Sequence, residues 1–386
     1  MVDAHKLQEQ SGRGDPLESR DRFEILVTPE NGDGVHNHIV KLLSNKPEKF
    51  DLEAKHIPHI ESAISLLKQG HGDIVAVSGK WWYENKESDL SAKLVLPRRE
   101  PTRVLVGDNK PEYLPKSAII VVDSEVVKRQ LLRFRNDLKI SLTNEIEISC
   151  KDELELVSHL ENMRLQGEID SYVTTRSLYS SLGGKSRRHT LGLQKNNEER
   201  TRFIPVPLEG YTVLLTRQDF PGSKLNSIID VGATLSFRLE MTVLDNIPQN
   251  MHDKVGLYIE QRKLGALLRE ANKAGDEFAL REISIHQKKH SENKTRIELF
   301  LETINKDGTV TASVDRVFTI EESHSALVTA LKDWTQIIDI LMEKPTEEKR
   351  GRMKEIMDIY IQTMIEQKRI SEDDVFDSKL DESDFE

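Results

Sequence analysis

The chain has very little cysteine and no long hydrophobic run. Its 386 residues contain a single cysteine, Cys150, which excludes an internal disulfide and a metal cluster built on several cysteines. No apolar stretch approaches the ~18 residues that a membrane-spanning helix needs. Residues 1–22 mix charge with glycine and proline and lack the apolar segment of a secretory signal. We therefore expect a cytoplasmic protein that has no membrane partner.

A broad excess of basic residues is also absent. The formal net charge is −11, and most of the excess lies in residues 371–386, where eight acidic residues accompany the single basic residue Lys379. The remainder is close to balanced and has no broad basic face for phosphate contacts, which argues against a nucleic-acid partner. Because the segment 371–386 has low hydrophobicity and high charge, it is predicted to be a disordered tail.

Helical and strand patterns alternate along more than half of the chain. The helical pattern Ile60–Gln69, for example, leads into the buried-strand pattern Asp73–Val77. This alternation predicts α/β domains with mostly parallel sheets. Rigid proline segments near Pro115 and Pro207 predict two crossings between the domains. The predicted fold class is α/β, with two doubly wound, hinged domains like those of periplasmic binding proteins and a smaller α+β third domain.

The third domain is predicted from strand patterns around Asn305–Gly308, a hairpin signal. Residues 183–202 are predicted to form an exposed polar loop, and residues 345–370 an amphipathic helix with a methionine-rich stripe that docks on a protein partner or a second copy. The predicted boundaries are 1–21 for a disordered N-terminus, 22–112 with 208–233 for domain 1, 113–207 for domain 2, 234–344 for domain 3, 345–370 for the helix and 371–386 for the tail.

Several framework segments, taken in order, resemble porphobilinogen deaminase, also called hydroxymethylbilane synthase. The resemblance covers roughly residues 22–342 and lies in Gly72–Lys80, Leu96–Val106, Gln130–Ile140, Gly167–Asp170 and Phe203–Gly210. It implies an enzyme that links four porphobilinogens, with loss of ammonia, on a dipyrromethane cofactor. In that family a cysteine thioether holds the cofactor, an aspartate stabilises cationic intermediates, and arginines bind the substrate carboxylates.

The residues that carry this chemistry are absent at the matching positions. With Gly256–Tyr258 setting the register, the cysteine position holds Met251 and the aspartate position holds Trp81. Arginines of the family fall on or near four apolar residues, Val126, Val127, Leu154 and Leu160. Because a methionine sulfur already carries a methyl group, we expect no dipyrromethane cofactor on Met251. Cys150, at a predicted helix start, is not an evident substitute.

The resemblance implies a catalytically degenerate relative, connected with tetrapyrrole biosynthesis, that acts as a ligand- or partner-binding protein. The alternative is an active hydroxymethylbilane synthase that polymerises four porphobilinogens through an atypical cofactor arrangement. A small anionic or pyrrole-like ligand is expected between the two α/β domains. The candidate cleft residues are Ser78, Lys80, Trp81, Lys128, Arg129 and Glu209. No metal site is predicted, because the paired histidines lack a third ligand.

Overall fold

The structure is a computed structural model that describes residues 21–29, 32–45, 47, 49–146, 150, 152–193, 201–275, 277, 295–342, 359, 362 and 365. Residues 1–20, nearly all of the predicted helix 345–370, the acidic tail 371–386 and a strand predicted at 279–286 lie outside these residues. The chain divides after Trp334 into two units. The fold and the site described below belong to the first unit.

The elements alternate as the sequence predicts for a mixed α/β protein. The strands are β1 (Asp21–Val27), β2 (Phe50–His56), β3 (Ile74–Ser78), β4 (Leu90–Val95), β5 (Arg103–Val106), β6 (Ile119–Val122), β7 (Lys139–Leu142), β8 (Ser171–Thr175), β9 (Arg188–Leu191), β10 (Thr212–Arg217), β11 (Val255–Lys263), β12 (Thr295–Ile304) and β13 (Thr311–Phe318). The helices are α1 (Val35–Ser44), α2 (Ile60–Lys68), α3 (Gly79–Glu84), α4 (Glu125–Phe134), α5 (Glu153–Gln166), α6 (Arg176–Ser181), α7 (Val231–Asp245), α8 (Leu264–Ala274) and α9 (Ser323–Met342).

The sheet of domain 1 has the strand order β2-β1-β3-β10-β4 and is covered on both faces. Alternate residues of β1 serve different cores: Ile25 packs with Val35 and Ile39 of α1, whereas Leu26 packs with residues of α2 such as Leu67. Burial on both faces explains why the central strands are apolar without interruption.

The sheet of domain 2 has the order β7-β6-β8-β5-β9. In each of the two large sheets, two strand pairs are parallel and two are antiparallel, so the prediction of mostly parallel sheets was wrong. The cause is topological. β5 and β10 are the first strands after the crossings. Each enters its sheet from the side on which the carboxyl ends of the parallel strands lie. They must therefore run in the opposite direction.

The two crossings lie at residues 96–102 and 192–211, between strands that belong to different sheets. The first contains Pro97 and Pro101, so its predicted place near Pro115 was wrong, and β5 belongs to domain 2. The second contains Pro207, as predicted, and β10 returns to the first sheet. The loop predicted at 183–202 contains β9, which pairs with β5.

Domain 3 is an antiparallel sheet with the order β11-β12-β13, as its strand patterns predict. The predicted hairpin turn forms at Asn305, whose side chain accepts hydrogen bonds from Thr309 N at 2.9 Å and Val310 N at 3.1 Å. The predicted boundary at residue 233 was wrong, because it cuts α7. Phe237 and Leu244 of that helix belong to the core of domain 1.

Candidate functional site

The carboxyl ends of the parallel strands of both large sheets meet at the crossings. Residues just beyond these ends line a common cleft: Asp33 follows β1, Lys80 follows β3, Asp123 follows β6 and Thr143 follows β7. Open α/β sheets bind their ligands outside the carboxyl ends of the strands. The topology therefore places these polar side chains where a ligand site is expected.

Two cavities occupy this cleft. The inner cavity has a volume of about 240 Å³ and the outer cavity about 950 Å³. They share five lining residues, Lys80, Arg103, Asp123, Thr143 and Leu208. Ligand pockets in proteins commonly measure ~300–1,000 Å³, so the two cavities together can hold a small molecule.

Arg103 lies between the cavities with its charge already compensated. Its Nε donates to Asp123 at 2.8 Å, and its Nη1 lies 3.4 Å from Glu209 Oε2. The Arg103 side chain is 10% exposed. Burial raises the pKa of Asp123, while the guanidinium opposes that shift. The predicted cleft residue Glu209 thus neutralises Arg103 from the second crossing.

Lys80 and Glu153 face the inner cavity from opposite domains. Lys80 is an exposed residue in the first turn of α3, and Glu153 is an exposed residue at the start of α5. Neither side chain has a hydrogen bond or an ion pair with another described residue. Loss of solvation raises the pKa of Glu153. The charges of Asp123 and Asp33 add to this rise, and the charge of Lys80 opposes it. The two charged side chains thus line the same cavity from opposite domains.

The Glu153 carboxylate lies against the backbone of the loop after β1. A Cβ atom at Gly32 would lie 2.6 Å from Glu153 Oε2, and Gly32 has a φ of +98°. Only glycine adopts such a conformation without strain and leaves room for the carboxylate.

Thr174 adds an unpartnered hydroxyl to the same cavity. The residue is 1% exposed, and its Oγ1 has no hydrogen-bond partner among the described residues. Its neighbour Thr175 differs, because the Thr175 hydroxyl accepts from Leu178 N at 3.2 Å and caps α6. Buried hydroxyl groups are normally hydrogen-bonded, so Thr174 contributes an unsatisfied polar atom beside the inner cavity.

The remaining predicted site residues have different positions. Ser78 lines the inner cavity, but its hydroxyl caps α3 by accepting from Trp81 N at 3.3 Å. Trp81 packs against the core of domain 1. Lys128 pairs with Glu145 at 3.0 Å, and Arg129 donates at 2.7 Å both to Glu125 and to the Ile304 carbonyl. Of the predicted basic residues, Lys80 alone lines a cavity.

Met251, Trp81, Val126 and Val127, at positions that the family resemblance assigns to catalysis, line neither cavity. Met251 ends a short 3₁₀ turn, Gln249–Met251, and Gln249 and His252 on either side of it line the outer cavity. Val126 and Val127 are buried in domain 2.

The thiol of Cys150 offers no replacement for a cofactor-bearing cysteine. Its pKa is raised by loss of solvation and by Glu155 and Asp152, which makes it a poor nucleophile. Nor does Cys150 belong to the lining of either cavity.

A second charged cluster fixes the crossings from behind the cleft. We call it the crossing clamp, and it consists of Arg98, Tyr211, Glu240 and Tyr258. Arg98 Nη1 donates to Glu240 at 2.7 Å, and its guanidinium lies 4.1 Å from the Tyr211 ring centroid and 4.8 Å from that of Tyr258. The two charged side chains are 11% and 0% exposed.

Glu240 is satisfied entirely by donors. Besides Arg98, it accepts from Leu208 N at 2.8 Å, Ile259 N at 3.1 Å and the Tyr211 hydroxyl at 3.2 Å. Burial raises the pKa of Glu240, but Arg98 and these donors favour the carboxylate. Residues from both crossings are thereby joined to α7 and β11.

Sequence reasoning missed Arg103, Asp123, Glu153 and Thr174. Each lies at or near a strand end or a helix start, and that position was the available signal. In the part of the chain that the structure describes, no group of three or more His, Cys, Asp or Glu side chains is arranged to hold a metal ion. None of the described helices has the length and apolar character needed to span a bilayer.

Comparisons with known proteins add little to this geometry. No protein-family model matches the chain, and no curated protein matches it. Among solved structures it is similar to the periplasmic aliphatic sulphonate binding protein SsuA from Escherichia coli, with 13% identity over 86% of this chain and 97% of that one and a TM-score of 0.32. It is similar to the methionine binding protein MetQ, with 15% identity over 58% of this chain and 94% of that one and a TM-score of 0.31.

YhfZ from Shigella flexneri is a further similar structure, with 14% identity over 59% of this chain and 99% of that one and a TM-score of 0.27. Scores this low carry no inference about fold or ligand. Functional assignment therefore depends on the chain's own side chains.

Proposed function

We propose that this protein is a catalytically degenerate relative of porphobilinogen deaminase that binds a small molecule in the cleft between its two α/β domains. One observation carries the binding function: residues beyond the strand ends of both sheets line a shared pair of cavities. The connection with tetrapyrrole biosynthesis rests on the ordered sequence resemblance.

The positions of the replaced residues support the loss of transferase chemistry. The Met251 turn belongs to the segment that lines the outer cavity, which is where a cofactor-bearing side chain would be useful. A methionine cannot form the neutral thioether linkage to a dipyrromethane. Trp81, at the aspartate position, offers no carboxylate.

The mass of the intact protein tests the loss of the cofactor. We expect the polypeptide mass alone, and incubation with porphobilinogen should yield no hydroxymethylbilane. A covalent dipyrromethane, or hydroxymethylbilane production by the purified protein, would instead support an active synthase with an atypical cofactor arrangement.

A cavity-filling variant tests the binding function. Thr143 lines both cavities, so Thr143→Trp should abolish the saturation-transfer NMR signals of cleft-binding compounds from a library of small polar molecules. Lys139→Trp places the same side chain at an exposed position of β7 and should leave those signals unchanged. If no compound distinguishes Thr143→Trp from the wild type, the cleft is not a binding site.

A further inference from the structure

We propose that the inner cavity recognises a small amino-carboxylate, a zwitterion whose carboxylate pairs with Lys80 and whose ammonium group pairs with Glu153. This inference rests on the proposed function, that the cleft binds a small molecule. It specifies the chemical class of that ligand from the groups that the cavity leaves unpaired.

The other charged side chains of the inner cavity have polar contacts within the protein. Arg103 pairs with Asp123 and Glu209, Arg99 donates to the Ser177 hydroxyl at 3.2 Å, and Asp33 accepts from Val35 N at 2.9 Å. Lys80 and Glu153 differ, since neither has a hydrogen bond or an ion pair with another described residue. Lys80 and Glu153 are therefore the charged lining residues whose polar atoms remain available to a ligand.

A ligand of a single sign fits this pair poorly. A carboxylic acid would pair with Lys80 but bring a second negative charge towards Glu153. A simple amine would pair with Glu153 but bring a second positive charge towards Lys80. Like charges in a partly desolvated site repel, whereas a zwitterion satisfies both groups with charge-assisted hydrogen bonds. Polycarboxylates are disfavoured further, because the two cavities together are lined by eight Asp or Glu side chains and four Lys or Arg side chains.

The rest of the cavity wall suits a compact organic molecule. Thr174 also lines the cavity, and its buried hydroxyl lacks a partner among the described residues. Leu156, Val157 and Val173 supply apolar wall between the polar groups. A short aliphatic body with charged ends matches this distribution. A bare metal ion does not, because no group of metal ligands exists among the described residues.

The ligand would also join the two domains. Lys80 belongs to domain 1 through α3, and Glu153 belongs to domain 2 through α5. A zwitterion held by both charges forms a bridge across the cleft.

Calorimetric titration with matched probes tests the inference. The probes are alanine, leucine, 4-aminobutyrate and 6-aminohexanoate, each compared with the amine that lacks its carboxylate and the acid that lacks its amine. We expect at least one amino-carboxylate to bind tenfold or more tightly than both of its matched analogues. Lys80→Met and Glu153→Gln should each weaken that binding about tenfold to a hundredfold, the range for a lost charge-assisted hydrogen bond.

Matched controls separate the site from overall charge. Lys93→Met and Glu168→Gln make the same chemical changes at exposed positions outside the cavities and should leave binding unchanged. All four residues are exposed, so the variants should fold.

Two failures are distinguishable. If compounds bind in the cleft, as judged by Thr143→Trp, but no amino-carboxylate is preferred or both Lys80→Met and Glu153→Gln bind normally, this inference is wrong and the binding function stands. If Thr143→Trp abolishes the binding of no compound, the proposed function fails and the inference fails with it.

Discussion

The crossing clamp and the inner cavity are two charged regions beside the same pair of crossing segments. In the clamp, Arg98 and Glu240 are buried, and Glu240 is satisfied by donors. In the cavity, Lys80 and Glu153 are exposed and lack protein partners among the described residues. Charges removed from water must be paired, whereas hydrated charges need no partner. The difference separates residues that hold the architecture from residues that are available for recognition.

Removing one member of the clamp should give the largest effect on stability. Arg98→Met leaves the Glu240 carboxylate buried without its cation, so the free energy of unfolding should fall by about 3–5 kcal/mol. Lys80→Met should change it by less than about 0.5 kcal/mol. Urea denaturation followed by tryptophan fluorescence measures both values. Equal destabilisation of the two variants would contradict the distinction between the crossing clamp and the inner cavity.

A double variant sharpens the same point. Arg98→Met combined with Glu240→Leu removes both buried charges, and we expect it to recover part of the loss caused by Arg98→Met alone. A double variant that is less stable than the single one would show that the pair contributes more than mutual neutralisation.

His38 provides a smaller effect that depends on pH. Burial lowers its pKa to about 4, helped by Arg99 and Lys41, and its Nδ1 lies 3.0 Å from Thr212 Oγ1 at the start of β10. The unfolded chain then binds the proton more readily than the folded one. Stability should therefore fall as the pH drops from about 6.5 to 4, by roughly 2 kcal/mol after allowance for partial exposure.

Denaturation series at several pH values measure this dependence. His38→Gln should remove most of the histidine contribution to the slope between pH 6.5 and 4, whatever its absolute stability. An unchanged slope would show that His38 titrates normally in the folded protein.

Thr174→Val should slightly increase the stability of the unliganded protein, whereas the preceding changes decrease stability. Valine has a similar shape and removes a buried hydroxyl that has no partner, so the unliganded protein should become more stable by about 1 kcal/mol. Ligand binding should weaken at the same time, a trade that is common at functional sites. Destabilisation of the free protein would mean that the hydroxyl is satisfied in solution.

The smallest expected effect is on hydroxymethylbilane production by the variant that combines Met251→Cys with Trp81→Asp. We expect no hydroxymethylbilane above the wild-type background, because the proposed resemblance assigns the positions of Val126 and Val127, which are buried, to carboxylate-binding arginines. A colorimetric assay with porphobilinogen measures it. Activity of this double variant would show that the cleft has diverged less than proposed.

Local sequence patterns predicted the secondary-structure elements better than they predicted which strands lie side by side in a sheet. Ile74–Val77 was identified as a strand because burial on both faces makes it continuously apolar. β2 was missed although its seven residues alternate apolar and polar side chains, the pattern of a half-buried edge strand. β5 was predicted as a strand but placed in the wrong domain, since periodicity carries no information about which sheet a strand joins. Lys80 was found through a family motif. Glu153 and Thr174 were not found, because the lack of a partner exists only in three dimensions.

The two crossings also limit how the domains can move as mechanical bodies. Val95 and Val213 are paired neighbours in the first sheet, and Arg103 and Leu191 are paired neighbours in the second. The ends of the two connections therefore lie side by side in each sheet. We expect two connections with adjacent ends to permit bending about one axis more readily than twisting. We therefore expect the width of the gap between Lys80 and Glu153 to be the distance that a bound molecule changes most.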